Sequence, residues 1–217
     1  MFIGHFAVGF AAKRVAPRAS LGVLMAAPTL LDLLWPIFLA LGWEQVRIDP
    51  GNTAVSPLDF VSYPISHSLL TACGWGALFA LVYWLMTHYG RGAAVIALGV
   101  VSHWVLDFVT HRPDMPLYPG GSRVGLGLWN SIAGTLAVEL AMYALGVWLY
   151  VSMTHARDRT GRLSLLAFLA VSLLLYMGAM FGGPPPNTRT LMMSAFTGWL
   201  VPFWAWWFDR HREVRAV

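Results

Sequence analysis

The stretch Gly92-Ala-Ala-Val-Ile-Ala-Leu-Gly-Val-Val-Ser-His103-Trp-Val-Leu-Asp107-Phe-Val-Thr-His111 decides how this chain is read. Its residues up to Ser102 carry no charge. At 1.5 Å per residue the run is long enough for the roughly 30 Å hydrocarbon layer of a bilayer. At its far end His103, Asp107 and His111 stand at i, i+4 and i+8. Each step of four residues turns a helix by about 40°, so the three side chains leave one narrow stripe. Ionisable groups in hydrocarbon are costly and mark sites. A bound metal explains why imidazole, carboxylate and imidazole gather there.

The rest of the chain fits the same surroundings. Of 217 residues, 58% are hydrophobic and 11% charged, against about 25% charged in a soluble domain. Mean hydropathy is +0.62. The fold class is therefore all-α, an integral membrane helical bundle. Apolar runs predict six spans, at Leu21–Trp43, Pro64–Thr87, Gly92–His111, Gly125–Ser152, Leu163–Phe181 and Thr190–Phe208. A further helix, about Ile3–Val15, is too short to cross alone; it is amphipathic, re-entrant or packed into the bundle. We expect a single unit over 1–217, with a metal-site half at about 1–152 and scaffold helices at about 163–208.

The net charge of +4 comes from thirteen Arg and one Lys. Ten of these fourteen fall in alternate short loops: Lys13, Arg14 and Arg18; Arg91; Arg157, Arg159 and Arg162; Arg210, Arg212 and Arg215. That is the pattern of membrane topology, with these loops and the C-terminus on the cytoplasmic side of a prokaryotic inner membrane. It argues against a nucleic-acid partner; the lipid bilayer is the expected one. The opposite side carries the longer loops Glu44–Tyr63, Arg112–Val124 and Gly182–Arg189, and the site is expected to open there. Cys73 is the single cysteine, so no disulfide forms within one chain. No cleavable leader is expected, because Lys13-Arg14 follows the first short apolar stretch rather than preceding it.

Few ionisable residues remain at membrane depth: His5, Asp32, His67, His103, Asp107, His111 and Glu139. The last two spans hold none. His103 lies about 12 Å deeper than His111 on an ideal helix. Imidazole with carboxylate suits zinc, manganese or iron rather than calcium, and this set can hold one to three ions, Asp107 bridging. Each residue also has a plain alternative. Asp32 can cap a helix broken at Pro28 or Pro36, Glu139 can bond a neighbouring helix, and His5 can sit at an interface. His111 can cap a helix end against the dipole. A common site explains all of them at once. Arg112 and Arg123, with Arg47 and Arg189, are the outer cations, and guanidinium suits phosphate. Trp129 and Asn130 lie near the expected mouth. Arg112, Arg123, Trp129 and Asn130 are thus the candidate substrate-binding residues.

At these residues the sequence resembles the membrane-bound metal-dependent hydrolase family, whose best-known member is described as a LexA-binding inner-membrane hydrolase. The shared pieces are Gly4-His5-Phe6-Ala7-Val8-Gly9, Pro28-Thr-Leu-Leu-Asp32, Ser66-His67-Ser68 and His103-x-x-x-Asp107, covering roughly Met1–Pro116. Where the family often has Pro-Asp-x-Asp, this chain has Leu-Leu-Asp32, one acid fewer. The motif order is also similar to zinc-dependent phospholipase C and related zinc nucleases. The resemblance implies hydrolysis of a phosphoester, lipid-like in view of the depth of the site, by metal-activated water. His5, Asp32, His67, His103 and Asp107 are then the expected ligands of a divalent metal, zinc foremost. His111 and Glu139 bind a further ion or support the first, and Asp32 or Glu139 is the general base. A proton- or metal-coupled transporter uses the same buried groups. It also expects inverted repeats or paired broken helices, which the sequence lacks.

Overall fold

The computed structural model of the chain describes residues 1–215. The helices follow the apolar runs. They are α1 (Ile3–Val15) and α2 (Leu21–Ala40), then, after strands β1 (Gln45–Ile48) and β2 (Leu58–Ser62), α3 (Pro64–His67), α4 (Leu69–Thr87) and α5 (Gly90–Thr110). Two short strands, β3 (Met115–Pro116) and β4 (Arg123–Val124), lead to α6 (Ile132–Met153). The chain continues as β5 (Thr154–Ala156), α7 (Arg159–Phe181), α8 (Thr188–Phe196), α9 (Leu200–Arg210) and β6 (Arg212–Val214).

Side-chain oxygens set where the long helices begin. Ser20, Ser68, Ser131 and Asp158 each accept a first-turn N–H of α2, α4, α6 and α7, satisfying donors that have no partner within the helix. Five helices, α2, α4, α5, α6 and α7, are long and apolar enough to cross a membrane. The all-α bundle expected from the apolar runs is the one observed. The sixth run is present as α8 and α9, joined by a 3-10 turn at Thr197–Trp199. There the Ser194 and Thr197 hydroxyls turn back onto the carbonyls of Leu191 and Ser194, and Gly198 follows. Both features weaken a continuous helix.

The short α1 lies inside the bundle, packed between α2, α5 and α6. Small residues make this possible. A Cβ on Gly146 of α6 would stand 2.5 Å from the Ala7 carbonyl oxygen and 2.7 Å from its Cα. On Gly9 a Cβ would stand 3.0 Å from the Met25 Cα of α2, a looser but still tight approach. Close backbone approach over small residues is how membrane helices associate. Gly146→Val is therefore expected to push α1 and α6 apart. It should cost about 1–3 kcal/mol, as overpacking does, and lower the melting temperature in detergent; an unchanged melting curve would contradict the packing.

Two apolar cores flank α2. One joins Phe6 and Phe10 of α1 to Tyr143, Phe168 and Phe208. The other joins Leu31 and Trp35 to Val100, Trp104 and Tyr63. The outward faces of α4, α6 and α7 carry exposed Leu78, Leu85, Leu145, Trp148, Leu174 and Leu175, a surface suited to lipid rather than water. The two ends of the bundle differ. At one, β1 pairs with β2 and β3 with β4, each antiparallel. At the other, arginine-rich end, β5 pairs with β6. Lys13 is also buried near that end. Its Nζ reaches Asp209 Oδ2 at 2.7 Å and donates to the Ala19 carbonyl, while Asp209 also accepts from Leu21 N and Tyr150 OH.

Candidate metal centre

Four elements bring the ionisable side chains together. His5 sits on the first turn of α1. Asp32 lies in α2 between Pro28 and Pro36, which interrupt its hydrogen-bond ladder. His67 ends the single turn of α3, and the span expected as continuous over Pro64–Thr87 breaks beside it, at Ser68 (φ −80°, ψ 150°). His103 and Asp107 share one face of α5. That helix stops at Thr110, and His111 is already extended (φ −68°, ψ 149°). The His111 N–H still donates to the Asp107 carbonyl, so its ring lies one turn from Asp107, on the cluster side of α5. The returning segment closes this end: Leu126 N donates to the Phe108 carbonyl and Gly127 N to that of His111.

Asp107 is the hub. Its Oδ2 lies 3.0 Å from His103 Nε2, 3.9 Å from His67 Nε2 and 3.9 Å from His111 Nε2. Its Oδ1 lies 3.1 Å from His5 Nε2 and accepts from the Met1 ammonium group. Asp32 Oδ1 stands 3.5 Å from His67 Nε2 and 3.8 Å from His103 Nε2. The His5 and His103 rings stack with centroids 3.9 Å apart. Two ligand sets result: His5, His103 and Asp107, and Asp32, His67 and His103.

The hydrogen-bond partners decide which ring nitrogens face inward. His103 Nδ1 is 2.8 Å from the Pro28 carbonyl, which can only accept, so Nδ1 carries hydrogen. His111 Nδ1 is 3.0 Å from Asp114 Oδ1. Burial pushes the Asp114 carboxyl up, but hydrogen bonds from His111, Tyr63 and Arg112 outweigh it and hold it below the ordinary carboxylate value. Asp114 is thus an anion and an acceptor, and His111 Nδ1 also carries hydrogen. His67 Nδ1 meets Ser66 Oγ at 2.6 Å, and that hydroxyl donates to Glu44 Oε2 at 2.6 Å. Three imidazoles therefore turn Nε2 toward Asp107, each with an acceptor behind it, the arrangement metal-binding histidines use.

Such a cluster fits a cation. The Nε2 atoms and the Asp107 carboxylate, at 3.0–3.9 Å, require a proton or a cation between them; at Oδ1 the Met1 ammonium already supplies positive charge. His67 and His103 Nε2 are 3.3 Å apart, the separation of two nitrogens at about 2.0–2.1 Å from one tetrahedral ion. His5 Nδ1 is buried without a partner. Among the described residues, the donor set of imidazole and carboxylate suits zinc or a similar transition ion.

The site opens at Asp32. Its side chain is 50% exposed, against 4% or less for His5, His67, His103, Asp107 and His111. A cavity of about 520 Å³ at the hairpin end is lined by Leu39, Glu44, Arg47, Arg189 and Met192, among others. Leu39 follows Asp32 by seven residues, so it lies about 10 Å along the same face of α2.

The other candidates lie as follows. Glu139 Oε2 accepts from Phe2 N at 2.8 Å and Gly4 N at 3.1 Å, so this carboxylate caps α1. Arg112 is paired with Asp59 and Asp114, and Arg123 donates to the Val61 carbonyl. Their charges serve the loop scaffold. Trp129 packs on His111, with centroids 4.2 Å apart. Asn130 lies in a 3-10 turn at Leu128–Asn130, and its N–H donates to the Gly127 carbonyl. Glu44 and Asp114 take no role from the sequence, because a loop acid carries no depth or spacing signal, and Ser66 enters only as part of the Ser66-His67-Ser68 motif. The one available hint was Ser66 directly beside His67.

A many-spanning helical membrane protein with a buried histidine–aspartate cluster is the class that fold and site define. A family model described as YdjM inner membrane protein matches residues 1–183, and the chain belongs to that family. The matched region holds all the cluster residues, together with Glu44 and Glu139. Comparison with curated proteins and with solved structures finds no match.

Proposed function

We propose that the chain is a membrane-embedded, divalent-metal-dependent hydrolase of phosphoesters, lipid-linked ones foremost. The observation that carries this reading is the convergence of three imidazole Nε2 atoms on the single carboxylate of Asp107, with His5 and Asp32 completing the two ligand sets. A divalent ion held by these residues would supply Lewis-acid polarisation of a phosphoryl oxygen and a water of lowered pKa. Asp32, open on one side, is placed to take a proton from such a water. Glu139 acts by holding the N-terminal turn of α1, and with it His5. Arg189, on the cavity beside α2, receives the phosphate, while Arg47 beside it is held by Asp59. The arginine-rich end faces the cytoplasm, and the cavity faces the opposite side.

The test uses detergent-purified protein prepared without chelator. Elemental analysis should find zinc, manganese or iron. Added metal should support cleavage of a phospholipid or a water-soluble phosphoester, and the preference between them identifies the substrate class. Metal-dependent transport in liposomes without turnover would overturn the hydrolase reading, and protein free of transition metal would overturn the metal centre. Arg189→Ala should raise KM about tenfold, the lower end for a charge-assisted hydrogen bond, and leave metal content unchanged. An unaltered KM would remove the cavity from the substrate path.

A further inference from the structure

We propose that Glu44, acting through the Ser66 hydroxyl, is the positioning group that makes His67 a metal ligand, and that this relay serves the Asp32–His67–His103 set alone. The proposal rests on the metal reading above but not on the reaction assigned to it.

His67 is weakly anchored by backbone alone. It lies on one isolated turn, α3, which breaks at the extended Ser68. Glu44 supplies the missing hold. This side chain comes from the chain just past α2 and is 2% exposed. Its Oε1 accepts from Ile65 N at 2.9 Å and Ser66 N at 2.8 Å, two first-turn N–H groups that α3 cannot satisfy itself. Its Oε2 accepts from Ser66 Oγ at 2.6 Å. A serine hydroxyl has one hydrogen. Once that hydrogen goes to the carboxylate, Ser66 Oγ can only accept from His67 Nδ1, 2.6 Å away. The Nε2 lone pair then faces Asp32 Oδ1 at 3.5 Å and His103 Nε2 at 3.3 Å. The opposite tautomer would set two lone pairs against each other at 2.6 Å. One carboxylate thus caps α3, fixes the tautomer of its last residue and, through the hydroxyl, strengthens that imidazole as a donor. Among the described residues His5 has no such partner: its Nδ1 is buried and unbonded. The two ligand sets therefore differ in how firmly they are prepared.

The test compares full-length wild type and Ser66→Ala in detergent, stripped with chelator and titrated with Co²⁺, followed by visible absorption and by competition for affinity. Ser66→Ala leaves Glu44 capping α3, so the apo melting curve should stay near that of wild type. Affinity for the cobalt bound by the His67 set should fall about 10–100-fold, as for other outer partners of metal ligands, with a weakened ligand-field band. Glu44→Gln should act in the same direction. Ser66→Ala should add no loss in a His67→Ala background and its full loss in a His5→Ala background. Wild-type cobalt affinity in Ser66→Ala overturns the relay, and so does an equal loss with and without His67. A wild type that takes up no cobalt overturns the metal reading itself, a separate failure visible before any variant is made.

Discussion

Asp107→Asn is expected to abolish retention of divalent metal by the purified protein while leaving the bundle folded. No other side chain meets so many of the inward-facing groups: Oδ2 is shared by His67, His103 and His111, and Oδ1 faces His5. The asparagine amide keeps the size of the carboxylate but removes its charge. It also turns one oxygen into a donor, which can satisfy an imidazole lone pair without any cation. The loss of affinity should therefore exceed the roughly 10–100-fold that outer partners carry. Elemental analysis beside a melting curve separates two outcomes. Loss of metal with retained folding fits a functional centre; unfolding would mark the ion as structural. Wild-type metal content in this variant would remove Asp107 from the site.

Asp209→Ala is expected to have the largest effect on stability, about 3–5 kcal/mol, the cost of stranding one charge of a buried pair. Lys13 and Asp209 are both nearly enclosed, with side chains 7% and 9% exposed. The same carboxylate also serves Leu21 N at the start of α2 and the Tyr150 hydroxyl of α6. Four elements lose a common anchor when it goes. Replacing both charges, as Lys13→Met with Asp209→Leu, should recover much of the loss, because the stranded ammonium is then absent. Thermal unfolding in detergent measures both. A single variant as stable as wild type would show that the pair contributes nothing.

The apolar runs were legible because hydropathy is a local property, and five of them are long helices. The cluster was legible by type and depth. His5, Asp32, His67, His103 and Asp107 stand out as polar residues in apolar runs, and the structure sets their side chains within a few ångströms of one another. The end of α5 was not legible. Helical spacing places His111 one turn from Asp107, and the ring is found 3.9 Å from it, but α5 ends at Thr110 and leaves His111 extended. Long-range pairing was hidden as well. Lys13 reads as a loop cation until Asp209 is beside it. Arg112 and Arg123 read as outer cations suited to phosphate, and the sequence does not show that they also meet Asp59, Asp114 and the Val61 carbonyl. Glu44 lies in a loop, and its partners Ile65 and Ser66 stand 21 and 22 residues further on.

The enclosure of α1 has a consequence in time. This helix of 13 residues carries His5 and Lys13, and it cannot rest in lipid by itself. Its principal covering partner, α6, begins at Ile132. At roughly 5–20 residues per second of synthesis, the ribosome reaches the end of α6 on the order of 10 s after finishing α1. The segment that brings His5 to the centre therefore emerges early and is shut in late, and during that interval its charges must be sheltered at the membrane surface or by the insertion machinery. Slow closure of this kind makes the biogenesis of the protein sensitive to changes in α6 that leave its hydropathy untouched.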